Sequence, residues 1–296
     1  MPIGYTLQQL HQWCSIPADE LAGRADLKVP FRLVADSAEM GEVMARELID
    51  EVAAHNARGE PTCAIVPCGP MAWYEPFRRL VNAEHVSLRD LHVYHMDECL
   101  DWQGRLLPAG HPYNFRSTME RVFYGGIDEA LAVPPEQRHF PTPASVEALA
   151  DEIAGLRIDI TLGGWGQDGH VAYNQARREP YSAVDADELA RARGRVQVNN
   201  LDTVIALAQR SFGSAYQFVP PMSVTLGLAE CLSAGKVRLF SDTGAWKQTA
   251  LRVALFGPVT PEYPMTLLQR HADALLTATR ETASHPISEH PEWELL

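Results

Sequence analysis

The chain has 296 residues, of which 46% are hydrophobic and 21% charged, enough apolar side chain for a sizeable core in one or two domains. Its net charge of −13 argues against broad nucleic-acid binding, because neutralising phosphate needs clustered Lys and Arg. The opening MPIGYTLQQLHQWCSIPADE has no basic stretch ahead of an apolar one, and no apolar run approaches the roughly 20 residues of a membrane helix. The expectation is a cytoplasmic protein with no membrane or nucleic-acid partner. Cys14, Cys63, Cys68, Cys99 and Cys231 are odd in number and form no CxxC pair. That pattern fits reduced thiols better than a disulfide framework or a structural zinc site.

In chain order, Met40, Val43, Met44, Leu48 and Val52 fall at helical spacing and predict a helix over 37–57 with Ser37 as its cap. TCAIV (62–66) reads as a buried strand, 73–82 as helical, and LHVYHM (91–96) as a second strand. Helical patterns follow near 115–123 and 145–155, then the strand RIDITL (157–162). SVTLGLAECLSAG (223–235) reads as a helix, KVRLFS (236–241) as a strand, GAWKQTALRVALFG (244–257) as a helix and DALLTAT (273–279) as a strand. The Pro- and acid-rich stretches 132–143 and 284–294 read as a surface loop and a tail. Strands alternating with helices predict a doubly wound α/β fold, with a mainly parallel sheet covered on both faces. No linker divides the chain, so one domain over 1–296 is expected, with an N-terminal extension of about 1–30 and a C-terminal tail of about 284–296.

Each candidate polar cluster follows a predicted strand. PCGP comes after the first, DECLDW after the second, GGWGQDGH after the third and DTGAWK after the fourth. In open α/β sheets ligands bind at the carboxyl ends of strands, near the topological switch point. GGWGQDGH lacks both the GxGxxG spacing of a dinucleotide loop and the GK[ST] of a Walker loop. Its glycines let the backbone approach a ligand closely, and Asp168 with His170 form either an acid–base pair or a polar turn bearing a surface histidine. Asp97 and Glu98 leave a buried strand, as a carboxylate base with a raised pKa or as a solvated turn. His95, Asp97 and Asp101 match no zinc spacing, and no metal is expected.

Taken together, HMDECLDW resembles the NMDEY segment of glucosamine-6-phosphate deaminases, and GGWGQDGHVAYNQ resembles their GxGxDGHIAFNEP segment. The resemblance runs over roughly 62–270, through the strand and turn at 62–69, HPYNFRSTMERVFY, VTLGLAECLSAGKVRLF and GAWKQTALRVALFGPVT. The same superfamily holds 6-phosphogluconolactonases, which typically carry DER and GHxASLFP; DEC and GHVAYN lean to the deaminase branch. The resemblance implies a modified Rossmann fold and an aldose–ketose isomerase/deaminase acting on an amino sugar phosphate, without metal or redox cofactor. It implies that His170 opens the sugar ring by moving a proton between O1 and O5, that Asp168 orients His170, and that Asp97 shuttles a proton between C2 and C1. Lys247 matches a phosphate-contacting lysine, and Arg210, in AQRSF, is the nearest match to the phosphate-contacting arginine. Gly69, Glu98, Gly166 and Gln175 join them as expected substrate-site residues. A lactonase using His170 as base and a non-catalytic sugar-binding relative stay open beside this, as do monomer and homo-oligomer.

Two departures stand out. Where the family reads PTGxTP or PSGxTP, this chain has PCGPMAWY. The hydroxyls are gone, Pro70 has no backbone donor, and the losses amount to several charge-assisted bonds of roughly 1.5–3 kcal/mol each. Gln175 stands where the family has the glutamate of an Asp–His–Glu relay. An amide can accept a bond from imidazole but brings no charge to imidazolium. Trp73, Tyr74, Trp102 and Tyr173 read as rim packing or a sugar platform, and ARARGR (190–195) as a solvated face or an anion contact.

Overall fold

The structure is a computed structural model that describes residues 4–176 and 184–296. The chain begins with helices α1 (Leu7–Cys14) and α2 (Ala18–Leu21), then strand β1 (Phe31–Val34) and helix α3 (Ser37–Asn56). Asp36, not Ser37, caps α3, accepting from the amides of Ala38 and Glu39 at 2.9 and 3.0 Å. Strand β2 (Thr62–Val66), helix α4 (Tyr74–Glu84) and strand β3 (Leu91–His95) follow. Next come strand β4 (Asp97–Leu100), helix α5 (Phe115–Met119) with a π-helical turn at Glu120–Tyr124, strand β5 (Arg138–His139), helix α6 (Val146–Ala154) and strand β6 (Ile160–Gly163). The last third holds α7 (Ala186–Ala190), β7 (Arg195–Val198), α8 (Leu201–Ser211), β8 (Met222–Thr225), α9 (Leu228–Cys231), β9 (Lys236–Ser241), α10 (Gln248–Phe256), β10 (Ala274–Thr279), α11 (Arg280–Ala283) and α12 (Pro286–Glu289).

Among the described residues, seven strands form one parallel sheet in the order β1-β10-β9-β6-β2-β3-β5. Its central strands carry apolar residues on both faces, as a doubly covered sheet requires. Ile65, Val237, Leu239 and Leu276 enter one core, while Ala64, Val66, Ile160 and Leu162 enter the other. From β2 the chain winds outward through β3 to β5, then returns to β6 and winds the other way through β9 to β10. The reversal between β2 and β6 is a topological switch point, where such sheets open a crevice. The four polar clusters of the sequence follow β2, β3, β6 and β9, which are neighbours in space.

A second, antiparallel sheet has the order β4-β8-β7. Here the sequence reading needs correction. DECL, read as loop, is strand β4, and SVT, read as the start of a helix, lies in β8 with only the short α9 after it. The first half of that segment alternates Met222, Ser223, Val224 and Thr225, and β-branched residues favour a strand once a partner is present. The stretch 132–143 is also more than loop, because Arg138 and His139 pair with β3. Cross-strand pairing is non-local, and a single run of four residues or fewer signals it weakly.

Trp73 and Tyr74 are core, not rim. Trp73 packs against Tyr74, Phe77 and Phe123 at ring distances of 4.9, 5.3 and 5.2 Å. The Tyr74 hydroxyl donates to the carbonyls of Pro67 and Cys68 at 3.0 and 2.8 Å. The aromatic bulk in PCGPMAWY thus anchors the loop from beneath, while Trp102 is exposed.

Candidate active site

Asp97 stands where the chain steps from one sheet to the other. The Met96 amide donates to Val66 O at 3.0 Å and its carbonyl accepts from Leu226 at 2.7 Å. One residue later, Asp97 pairs with Thr225 in the small sheet. The step leaves the Asp97 carboxylate half-buried against the crevice. Burial first, and the Glu98 carboxylate second, push its pKa up to about 8.

Glu98 turns the opposite way. Its carboxylate accepts from the amides of Cys99, Phe115 and Arg116 at 2.9, 2.8 and 2.7 Å. Burial raises its pKa and these three bonds pull it back. Adjacent strand residues face opposite sides, so Glu98, expected as a substrate contact, holds the first turn of α5 instead.

The stretch 163–175 folds as a tight loop after β6. Gly166 N donates to His170 O at 2.9 Å, and Gly169 N to Gly166 O at 3.0 Å with Gly169 at φ +72°. A Cβ on Gly166 would fall on the His170 imidazole. Glycine at 166 therefore makes room for the ring, and its amide is spent inside the loop. Buried Asp168 accepts from His170 Nδ1 at 2.6 Å, which leaves Nε2 to exchange a proton with a ligand. The Tyr173 ring lies nearly parallel to the imidazole, 5.9 Å between centroids, and its hydroxyl is 3.3 Å from Cys99 Sγ.

Gln175 does not join this pair. Its amide nitrogen donates to Thr203 Oγ1, and its carbonyl oxygen accepts from Asn200 N at 2.9 Å. Gln167 Nε2 reaches the same hydroxyl at 2.9 Å. Asn200 stands at the N-cap position of α8 and Thr203 in its first turn, so two amides of the histidine loop clasp the helix whose last turn carries Arg210. The sequence position suggested a relay, but the fold gives Gln175 a bracing task.

Gly69, Asp97, His170, Arg210 and Lys247 line one cleft of about 180 Å³. Gly166 borders a neighbouring cavity of about 200 Å³ that shares His170, Arg210 and Lys247. Lys247 follows β9 at the start of α10. Burial first, then the nearby Arg210 guanidinium, push its pKa down to about 8, partly offset by Asp242. Among the described residues, neither cation is held in an ion pair. Two cations outside any ion pair, with only Asp242 nearby, suit an anion in a protein of net charge −13.

Sequence reasoning passed over Trp165, Phe115 and Arg121. Trp165 lines the cleft and donates to Lys247 O at 3.4 Å. Phe115 and Arg121 lie in HPYNFRSTMERVFY, which has no strand-end signature to flag it. Elsewhere, Glu51, His55 and Asp159 converge, yet Lys236 pairs with Glu51 at 2.6 Å and Arg157 with Asp159 at 2.8 Å. His55 Nδ1 lies 2.9 Å from Pro61 O, so this cluster is an internally satisfied ion network. His95 is likewise structural, 2.8 Å from the Tyr124 hydroxyl and stacked on Phe140, with burial lowering its pKa to about 3.

No protein-family model matches the chain. It is 28% identical over 248 residues to a glucosamine-6-phosphate deaminase of Aliivibrio fischeri, covering 80% of this chain and 85% of that protein. A glucosamine-6-phosphate deaminase of Exiguobacterium sibiricum is 27% identical over 257 residues, with 86% and 92% covered. Among solved structures, a monomeric glucosamine-6-phosphate deaminase superposes with a TM-score of 0.72 at 23% identity, over 86% of this chain and 98% of that one. The 6-phosphogluconolactonase of Trypanosoma brucei gives 0.61 at 18% identity, over 88% and 99%. The chain therefore has the fold of these deaminase and lactonase structures, and its sequence is similar to those of glucosamine-6-phosphate deaminases.

Proposed function

We propose that the chain is an aldose–ketose isomerase/deaminase that converts an amino sugar phosphate such as glucosamine 6-phosphate to fructose 6-phosphate and ammonia. The observation that carries this reading is the meeting of Asp97, the His170–Asp168 pair and two cations outside any ion pair among the described residues, all in one cleft. Arg210 and Lys247 take the phosphate. His170, its tautomer fixed by Asp168, moves a proton between O5 and O1 and opens the ring. Asp97 then removes the proton from C2 and returns it to C1, and the amine leaves as ammonia once water adds at C2. A carboxylate with a raised pKa is the stronger base for a carbon acid. We assign the whole chain to one α/β domain of the cytoplasm. The support is the absence, among the described residues, of any helix long and apolar enough to cross a membrane and the five free thiols.

Incubation with glucosamine 6-phosphate, reading ammonia and fructose 6-phosphate in stoichiometric amounts, tests the reading. Full activity in an Asp97→Asn variant overturns the mechanism. Hydrolysis of 6-phosphogluconolactone without any ammonia from amino sugars replaces it with the lactonase reading.

A further inference from the structure

The cleft does not end at the phosphate site. Through Cys68, Gly69, Met71, Phe115, Tyr173 and Arg210 it adjoins a chamber of about 730 Å³, roughly four times the volume of the cleft itself. Whole drug-sized ligands occupy pockets of about 300–1,000 Å³, so a hexose phosphate leaves most of this space unused.

The chamber is a groove open to solvent on one side. Its roof joins the loop before α5 to the end of α8, where the Tyr113 hydroxyl lies 2.7 Å from Ser211 Oγ and its ring packs 5.7 Å from Phe212. Rings and apolar chains dominate the wall through Phe115, Phe212, Leu207 and Met71, the kind of surface on which a sugar or other ring stacks. Arg121, exposed to solvent, also lines this chamber, and among the described residues its guanidinium enters no ion pair or hydrogen bond. It lines the chamber and not the cleft. The loop that departs from the family's phosphate cradle supplies Cys68, Gly69 and Met71 to the same wall. Its change from hydroxyl to thiol and thioether suits an apolar neighbour rather than a second phosphate.

We infer that the preferred substrate is a two-unit molecule: an amino sugar phosphate whose side remote from C1 and C2 carries a second ring bearing an acid. The inference rests on the proposed deaminase reading, which requires C1 and C2 of the first ring to be free. The phosphate sits between Arg210 and Lys247, the second ring stacks in the chamber, and its acid meets Arg121.

The test compares glucosamine 6-phosphate with derivatives substituted at O3 or O4 by a neutral hexose or by a hexuronic acid. Turnover is read as ammonia release and binding by calorimetry, in the wild type, in Arg121→Gln and in Ser117→Trp, which fills the chamber at a residue that does not line the cleft. The hexuronic derivative should exceed the bare sugar at least tenfold in kcat/KM. Arg121→Gln should reduce it to the level of the neutral disaccharide. Ser117→Trp should remove the advantage of both while the bare sugar is turned over as before. If the bare sugar is turned over and no extended one is faster or tighter, the subsite falls and the deaminase reading stands. If nothing is turned over but the acidic disaccharide binds tightest and Ser117→Trp abolishes that, the subsite stands and the deaminase reading falls. If nothing is turned over or bound, both fall.

Discussion

The two halves of the cleft are held in different ways. On the proton-transfer side every group has a dedicated support. Asp168 bonds His170 at 2.6 Å, the Gly166 amide closes the loop on the His170 carbonyl, and the sheet-to-sheet step at Met96 fixes Asp97. On the anion side Arg210 and Lys247 enter no ion pair among the described residues, Asp242 is the nearby carboxylate, and the loop beside them carries Cys68 and Met71. Preorganised acid–base groups tolerate little displacement, whereas a recognition wall can change with its ligand. On the proposed reading, the contrast assigns the chemistry and the choice of substrate to separable parts of the site.

The contrast is broken most severely at Asp97. Asp97→Asn removes the proposed base, and kcat should fall on the order of 10²- to 10⁴-fold with KM little changed. The same variant should melt higher at pH 8. Folded, Asp97 keeps its proton up to about 8; unfolded, it releases it in the ordinary carboxylate range. Between those limits the unfolded state binds fewer protons, so stability declines as pH rises, and asparagine lifts that penalty. An unchanged ammonia-release rate, or a lower melting temperature, counts against the assignment.

His170→Gln comes next, because Asp168 can orient an imidazole but cannot replace it. A loss of about 10²-fold is expected with the cyclic sugar. If His170 serves ring opening, the defect should shrink for an open-chain analogue that needs no such step. An equal defect with both substrates would place His170 in the later proton transfers.

On the recognition side, Lys247→Met deletes one charge-assisted bond of roughly 1.5–3 kcal/mol, so KM should rise on the order of 10- to 100-fold while kcat holds. The pH dependence sharpens this. With Asp97 raised to about 8 and Lys247 lowered to about 8, kcat/KM should climb as Asp97 ionises and fall as Lys247 loses its proton. The optimum is therefore narrow and near 8. Lys247→Arg keeps the cation throughout and should move the descending limb upward; a limb that stays in place belongs to another group.

How much of this was legible beforehand follows the same division. Asp97, Asp168 and His170 each follow a strand strong enough to be read from its apolar run, and their chemistry is local. The doubly wound sheet was legible for that reason too. β4, β7 and β8 were not, since a small antiparallel sheet depends on pairing between segments more than 90 residues apart in the case of Asp97 and Thr225. Glu98 and Gln175 were misplaced because motif position says nothing of which way a side chain turns. Glu98 faces three amides across the strand, and Gln175 faces the first turn of α8.

The smallest effect belongs to Gln175, and it separates bracing from relay. Gln175→Glu keeps an acceptor for Asn200 N and allows the Thr203 hydroxyl to donate in place of the lost amide, so kcat and KM should stay within about threefold, no more than the net worth of one hydrogen bond. As no bond links residue 175 to His170, the pH profile of kcat should not move resolvably. A relay residue would behave otherwise, since a new carboxylate on the imidazole favours its charged form and displaces the limb. Gln175→Ala, by contrast, strips both bonds from the first turn of α8. Because that helix carries Arg210 at its far end, the loss should appear as a severalfold rise in KM with kcat nearly intact. Thr203→Val should reproduce it, removing the hydroxyl on which Gln167 and Gln175 meet. Should Gln175→Glu instead raise kcat and shift its pH limb, the glutamine would be a weakened relay after all, and the proton-transfer side would prove no more fixed than the recognition side.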